Sequence, residues 1–184
     1  KNPITAIVGG AKVSSKISVL ENLLKRVDNL IIGGGMAYTF IKANGGSIGN
    51  SLVEEDYLSM AIDVLAKAKE LGVEVFLPAA SIIADSFSNE ANTKTGASHE
   101  IPDGWMGLDA GPQAVASVKE VLLASKTILW NGPMGVFEME KFAQGTKDVA
   151  EFIAEATSSG AFSLIGGGDS VAAIKKFNLA DQVS

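Results

Sequence analysis

Four short apolar runs in this chain each stop at a glycine-containing turn: Ala6-Ile7-Val8-Gly9-Gly10, Leu30-Ile31-Ile32-Gly33-Gly34-Gly35, Ile128-Leu129-Trp130-Asn131-Gly132-Pro133 and Phe162-Ser163-Leu164-Ile165-Gly166-Gly167-Gly168-Asp169-Ser170. Strands covered on both faces read as continuous apolar runs rather than as an alternation. Glycine just past such a strand lets the backbone turn sharply and come close to a ligand. In open parallel sheets, ligands bind beyond the carboxyl ends of the strands, where turns of this kind gather. The repetition therefore predicts a three-layer α/β/α, Rossmann-like domain with a mostly parallel sheet. It also favours a nucleotide or another phosphate ligand at one rim.

The last of the four turns carries the most chemistry. Asp169 or Ser170 is expected at a helix N-cap, where unpaired N–H groups favour an anion. A capped strand-to-helix turn with no ligand fits that one segment equally well, and only the repetition tips the balance. After the first strand, at residues 5–8, a helical pattern puts Ile17, Leu20, Leu23 and Leu24 on one face. If this helix begins near Lys12, Lys12 and Lys16 share one side of its first turn. Each lysine there opposes the macrodipole by about 0.3–1 kcal/mol, so the pair asks for an external anion. A solvated charged face is the alternative.

The rest of the chain alternates in the same way. A strand at 29–32 leads through glycines into small residues that offer a flat shelf for a planar base, although close helix–strand packing would need the same residues. A helix is predicted over 54–71, with Leu58, Ile62, Leu65 and Ala68 inward and Gly72 closing it. Strands follow at 73–77 and 81–85. Residues 86–111 form a polar stretch too long for a mere connector, read as a functional loop or an edge hairpin. A helix over 113–124 turns Val115, Val118, Val121 and Leu122 inward, and a strand at 127–130 precedes the turn at 131–138. Glu138 either bonds a ribose, since a carboxylate can accept from both hydroxyls, or begins the next helix over 141–158.

Composition closes off several classes. The 184 residues suit one ordinary domain, and 47% hydrophobic content is enough for a real core. There is no cysteine, hence no disulfide framework and no thiolate metal site. The net charge of −6 argues against a nucleic-acid grip, which needs a basic stripe. No apolar run approaches the roughly 18 residues that span a bilayer, so no membrane association is expected. Neither G-x-x-x-x-G-K-[ST] nor G-x-G-x-x-G occurs, which disfavours a P-loop enzyme and a dinucleotide oxidoreductase. The one histidine, His99, lies in a polar stretch without metal-ligand neighbours in sequence. The chain opens at Lys1 and enters a strand pattern at once, as expected of a fragment.

Taken in order, Gly9-Gly10-Ala11-Lys12-Val13-Ser14-Ser15-Lys16, Gly33-Gly34-Gly35-Met36-Ala37, Asn131-Gly132-Pro133-Met134-Gly135-Val136-Phe137-Glu138 and Gly166-Gly167-Gly168-Asp169-Ser170 closely resemble the phosphoglycerate kinase family. Phe87-Ser88-Asn89-Glu90-Ala91 and Gly104-Trp105-Met106-Gly107-Leu108-Asp109 fit as well. The likeness covers essentially the whole chain but only the C-terminal, nucleotide-binding half of such an enzyme. It implies that residues 1–184 are that domain, without the N-terminal domain and without a final glycine-rich segment beyond Ser184.

The resemblance also implies roles. Lys12, Lys16 and Gly168 would act on the group in flight, the lysines neutralising phosphate charge. Gly34, Gly35, Gly107 and Leu108 would wall the adenine, with Val136 opposite. Gly10, Ala11 and Pro133 would complete the nucleotide site, Asn131 would touch phosphates and Glu138 the ribose. Gly167, Gly168 and Ser170 would present a helix N-terminus, and Asp169 would hold Mg²⁺ on the nucleotide. A carboxylate beside polyphosphate is repulsive unless a divalent cation lies between them. The implied partners are MgADP and MgATP, with 1,3-bisphosphoglycerate and 3-phosphoglycerate held by the other half of a cytoplasmic, monomeric enzyme of glycolysis. Ala80 departs from the aspartate usual in the family, which leaves the local loop bonding open. A non-catalytic nucleotide or phosphate module is the alternative reading.

Overall fold

The computed structural model describes residues 2–183. Five strands make a wholly parallel sheet: β1 (Ile4–Val8), β2 (Asn29–Ile32), β4 (Glu74–Phe76), β9 (Thr127–Asn131) and β10 (Phe162–Gly166), in the spatial order β10-β9-β1-β2-β4. β1 lies in the middle, with Ala6, Ile7 and Val8 wholly excluded from solvent. Alternate side chains of a strand point to opposite faces, and two cores follow from that alternation. Ala6, Val8, Leu30 and Ile32 pack with Leu20 and Leu24 of α1 (Ile17–Leu24), Phe40 of α2 (Ala37–Ala43), and Ala61 and Val64 of α3 (Leu58–Glu70). Ile7, Ile31, Ile128 and Trp130 pack with Val118 and Leu122 of α4 (Pro112–Ala124), Val149 and Ile153 of α5 (Gln144–Ser158), and Ile174 of α6 (Gly168–Lys176). The three-layer arrangement is as expected.

The stretch 86–111 resolves into strands. β5 (Ala80–Ala84) is flanked by β6 (Thr93–Ala97) and β8 (Met106–Ala110) in a separate antiparallel sheet. β7 (Glu100–Ile101) pairs in parallel with β3 (Ser47–Ile48), so part of the glycine-rich loop 44–50 is strand. In the β5–β8 pair Ile82 faces Asp109 and Ile83 faces Gly107, which leaves Leu108 as the extra residue of a bulge. A bulge of this kind bends the strand and re-aims a side chain. Ala80, the departure from the family pattern, is buried in β5 and accepts the Gly111 N–H on its carbonyl at 2.8 Å.

Four helix expectations need correction. Residues 13–15 form a 3-10 turn and α1 begins only at Ile17, so Lys12 and Lys16 do not share a helical turn. α3 is preceded by a 3-10 turn at Glu55–Tyr57 and buries Ala61, Val64 and Ala68, while Ile62 is 50% exposed. The inward stripe is rotated onto Ala61, Val64 and Ala68, which share one core with Leu20 and Leu24 of α1 and Phe40 of α2. α5 starts at Gln144, after a 3-10 turn at Glu140–Phe142, so Glu138 lies in a turn and begins no helix. Finally, Gly167 is the N-cap of α6, with φ 84° and ψ 143°, which places Asp169 and Ser170 inside the first turn.

Candidate functional site

Three of the four glycine turns are sewn to one another by their own backbones. Gly9 N–H donates to the Asn131 carbonyl at 2.8 Å and Gly10 N–H to that of Pro133 at 3.2 Å. Gly34 N–H donates to Met134 O at 3.1 Å, and Met36 N–H to Gly10 O at 2.9 Å. Such approach leaves no room for side chains. A Cβ on Gly132, whose φ is +103°, would overlap the Gly9 carbonyl, and one on Gly9 would overlap that of Pro133. The fourth turn joins through a side chain, because the buried Ser170 hydroxyl accepts the Gly132 N–H at 2.5 Å. Ser170 therefore ties the start of α6 to the β9 turn instead of capping its own helix.

Where these turns meet the antiparallel sheet there is a cavity of about 180 Å³. Ten residues singled out from sequence line it: Gly10, Ala11, Gly34, Gly35, Gly107, Leu108, Pro133, Val136, Glu138 and Asp169. Leu108 and Val136 are joined directly, the Val136 N–H donating to Leu108 O at 3.0 Å. Six others do not line it: Lys12, Lys16, Asn131, Gly167, Gly168 and Ser170. Most of these stand close by. The Lys16 ammonium is hydrogen-bonded to the Asn131 side-chain oxygen, and its stem passes over Gly10. A Cβ on Gly167 would lie 3.1 Å from that same Asn131 oxygen. Lys16, Asn131 and the α6 N-terminus thus form one mouth beside the cavity, with the helix N–H groups available to an anion.

Lys12 is placed differently. Its charge acts on Glu54, whose carboxylate also accepts the Ser14 N–H at 3.0 Å. Burial on its own would raise the Glu54 pKa, but hydrogen bonds from Ser14 and Val13 and the Lys12 charge hold it below the ordinary value.

Five cavity residues had escaped sequence reasoning as site residues: Tyr38, Leu52 and Asp109, together with Met134 and Gly135 of the β9 turn. Tyr38 and Leu52 line the wall, Leu52 with 59% of its surface exposed, and Asp109 closes the far end. Asp109 is buried; its two oxygens accept the Gly145 and Ala110 N–H groups, each at 2.9 Å. Loss of hydration pushes its pKa up to about 7, against the pull of those N–H groups and with some help from the Asp148 charge. The available signal was a lone carboxylate inside the apolar strand Met106–Ala110, a residue type almost never buried without a partner.

Among the described residues no group of three His, Cys, Asp or Glu side chains is placed to hold a metal. A Mg²⁺ ion is commonly held by one or two carboxylates together with substrate phosphates. Asp169, exposed on the first turn of α6 and lining the cavity, suits that shared mode and no protein-only cage.

Comparison with known proteins agrees with this geometry. The family profile described as phosphoglycerate kinase matches residues 1–184. A phosphoglycerate kinase of Porphyromonas gingivalis is 57% identical over 184 residues, all of this chain and 44% of the relative. A cytosolic phosphoglycerate kinase of Nicotiana tabacum is 54% identical over the whole chain and 46% of its own length. The solved structure of phosphoglycerate kinase from Coxiella burnetii superposes with a TM-score of 0.96 at 46% identity, covering 100% of this chain and 46% of that one. The chain spans about half the length of the relatives it matches. With whole-chain identity at this level and the same backbone throughout, the chain belongs to the phosphoglycerate kinase family.

Proposed function

We propose that residues 1–184 are the nucleotide-binding domain of a phosphoglycerate kinase, whose parent enzyme moves a phosphoryl group between 1,3-bisphosphoglycerate and MgADP to give 3-phosphoglycerate and MgATP. The observation that carries this reading is the convergence of four glycine turns on one cavity, with Lys16, Asn131 and the α6 N-terminus at its mouth. The base lies between the Gly34–Gly35 backbone and the Gly107–Leu108 bulge, with Val136 across from it. The ribose hydroxyls reach Glu138, which is exposed in the turn after β9. The phosphates run to the first turn of α6, where Gly167, Gly168 and Ser170 present backbone and where Asp169 would hold Mg²⁺. Mg²⁺, when bound, neutralises phosphate charge and orients the terminal group.

Phosphoryl transfer depends on positioning and charge stabilisation rather than on a covalent protein intermediate. Lys16 supplies that charge from a fixed place, because Asn131 holds its ammonium. Lys12, whose positive charge acts on the Glu54 carboxylate, adds a second cation when the phosphates arrive. The 1,3-bisphosphoglycerate and 3-phosphoglycerate are assigned to the other half of the enzyme. A cytoplasmic location is supported by the tobacco relative's name; among the described residues no helix is long and apolar enough to cross a membrane.

The test is calorimetric. The chain titrated with MgADP is expected to show one saturable site; a folded chain that binds none overturns the reading. In the complete enzyme, Lys16→Ala is expected to lower turnover by about 10²–10³, the usual loss for one charge-stabilising group, while the unfolding midpoint barely moves. Unchanged turnover would place Lys16 on a merely solvated face and remove it from the charge-stabilising role.

A further inference from the structure

Three buried hydroxyls from three elements form a continuous chain behind the cavity wall. Tyr38 of α2 shares a hydrogen bond of 2.7 Å with Ser81 of β5, and Ser81 shares one of 2.6 Å with Ser98, just past β6. Tyr38 is 3% exposed, Ser81 0% and Ser98 1%. Of the three only Tyr38 lines the cavity. The phenol meets the antiparallel wall at Gly107, where a Cβ would overlap the Tyr38 hydroxyl. Gly107 is held from its other side, its N–H donating to the Ser51 hydroxyl at 2.9 Å. The height of Gly107, and with it the Leu108 bulge, therefore depends on where the phenol stops.

The Tyr38 ring packs among Ile41, Ile48, Ile83 and Ile101, and apolar packing of this kind, being non-directional, leaves the hydroxyl end some freedom to shift. The hydroxyl chain removes that freedom, since it anchors the far end of the ring to β5 and, through Ser81, to the end of β6. A buried hydroxyl without a partner is costly, so the ring is held in the one position where all three are satisfied. Burial also raises the phenol pKa well above its ordinary value, which keeps it a neutral hydrogen-bonding group at any working pH.

We propose that the Tyr38–Ser81–Ser98 hydroxyl chain is a positioning element for the base end of the nucleotide cavity, setting the separation between the Gly34–Gly35 turn and the Gly107–Leu108 bulge. It rests on the nucleotide reading above and adds residues to it, two of which never touch the ligand. Because the chain acts on the base end alone, it governs recognition of the nucleoside and leaves the phosphate mouth untouched.

The experiment compares two ligands on the 184-residue chain. MgADP uses both ends of the site, whereas magnesium tripolyphosphate uses only the mouth. Loss of one buried hydrogen bond corresponds to roughly a five- to tenfold change in an equilibrium constant. Tyr38→Phe is expected to weaken MgADP by about that factor and to leave tripolyphosphate unchanged, and Ser81→Ala to do the same. Ser98→Ala, furthest from the cavity, gives the same pattern with a smaller loss. Equal weakening of both ligands would make the hydroxyls a general structural support and overturn the proposal, as would unchanged MgADP affinity in Tyr38→Phe and Ser81→Ala. Failure of the unaltered chain to bind MgADP, by contrast, removes the nucleotide reading itself and this proposal with it. Near-ultraviolet circular dichroism of each variant confirms that the comparison is made on folded protein.

Discussion

The two walls of the cavity are built on opposite principles. Along the rim of the parallel sheet, position is set by the absence of side chains: Gly9, Gly34 and Gly132 let three backbones cross within hydrogen-bonding distance. Across from it, the antiparallel sheet is set by the presence of side chains, with Tyr38 and Ser51 on Gly107 and Asp109 on the first turn of α5. The first wall has no room for an added atom at Gly9, Gly34 or Gly132. The second is adjustable, since each support is one polar group that substitution can remove or retune. A ligand that must be held firmly at its phosphates and discriminated at its base is served by that division.

The largest expected effect falls on the rim. Gly132→Ala adds a Cβ where the Gly9 carbonyl already lies, at a backbone φ of +103° that L side chains rarely adopt. Overpacking against backbone and left-handed strain together cost on the order of 2–6 kcal/mol, comparable to a whole domain's stability. Denaturant unfolding is expected to show a chain that is marginal or unfolded. A loss under about 0.5 kcal/mol, the range of ordinary surface changes, would mean that the rim yields as readily as the opposite wall.

On the adjustable wall, Asp109 predicts a dependence on pH. Its folded-state pKa of about 7 lies above the unfolded value of 3.8, so the folded protein holds a proton that the unfolded chain has released. The associated stability is fully present below about pH 4 and is lost as pH rises through about 7, by at most about 4 kcal/mol. Asp109→Asn keeps a neutral group there, though its amide faces one of the two N–H donors that the carboxylate accepted. Stability of the variant relative to the parent is expected to climb between pH 4 and 7 and then level off. A flat difference across that window would show that Asp109 is ionised throughout. Glu54 works in the other sense: its lowered pKa contributes stability above the ordinary carboxylate range that is lost on acidification.

This contrast also explains what could be read from sequence. The rim was legible because glycine after an apolar run is local punctuation, and Gly10, Gly34 and Pro133, which the family resemblance had singled out, line the cavity. The family resemblance placed Gly107 and Leu108 there too. Tyr38, Leu52 and Asp109 were not read as site residues, because a side chain's role in the wall depends on partners far along the chain, such as Ser81 for Tyr38 and Gly145 for Asp109. Helix faces failed for a related reason. Ile62 looks like a better core residue than Ala61, yet the face that α3 turns to its neighbours buries the alanine and leaves the isoleucine half-exposed. The Lys12–Lys16 spacing suggested one helical turn, but helix starts depend on capping, and the 3-10 turn between them has no side-chain cap.

The smallest expected effect separates the two walls most sharply. Ser51, 6% exposed, holds Gly107 by accepting its N–H at 2.9 Å. Ser51→Ala leaves that N–H without its partner, which in a dry core costs about 1–3 kcal/mol. Gly107 lines a cavity of about 180 Å³, which gives water a route to the freed donor. The cost should therefore fall near the bottom of that range, about 1 kcal/mol by denaturant titration. Ser51→Thr keeps the acceptor and is expected to recover most of the loss, unless its added methyl group meets the neighbouring wall. Were Ser51→Ala instead to destabilise the chain as severely as Gly132→Ala, the wall around Gly107 would be as unforgiving as the glycine rim. Adjustment at the base end would then have to come from Leu108 and Val136, the two residues joined across the bulge.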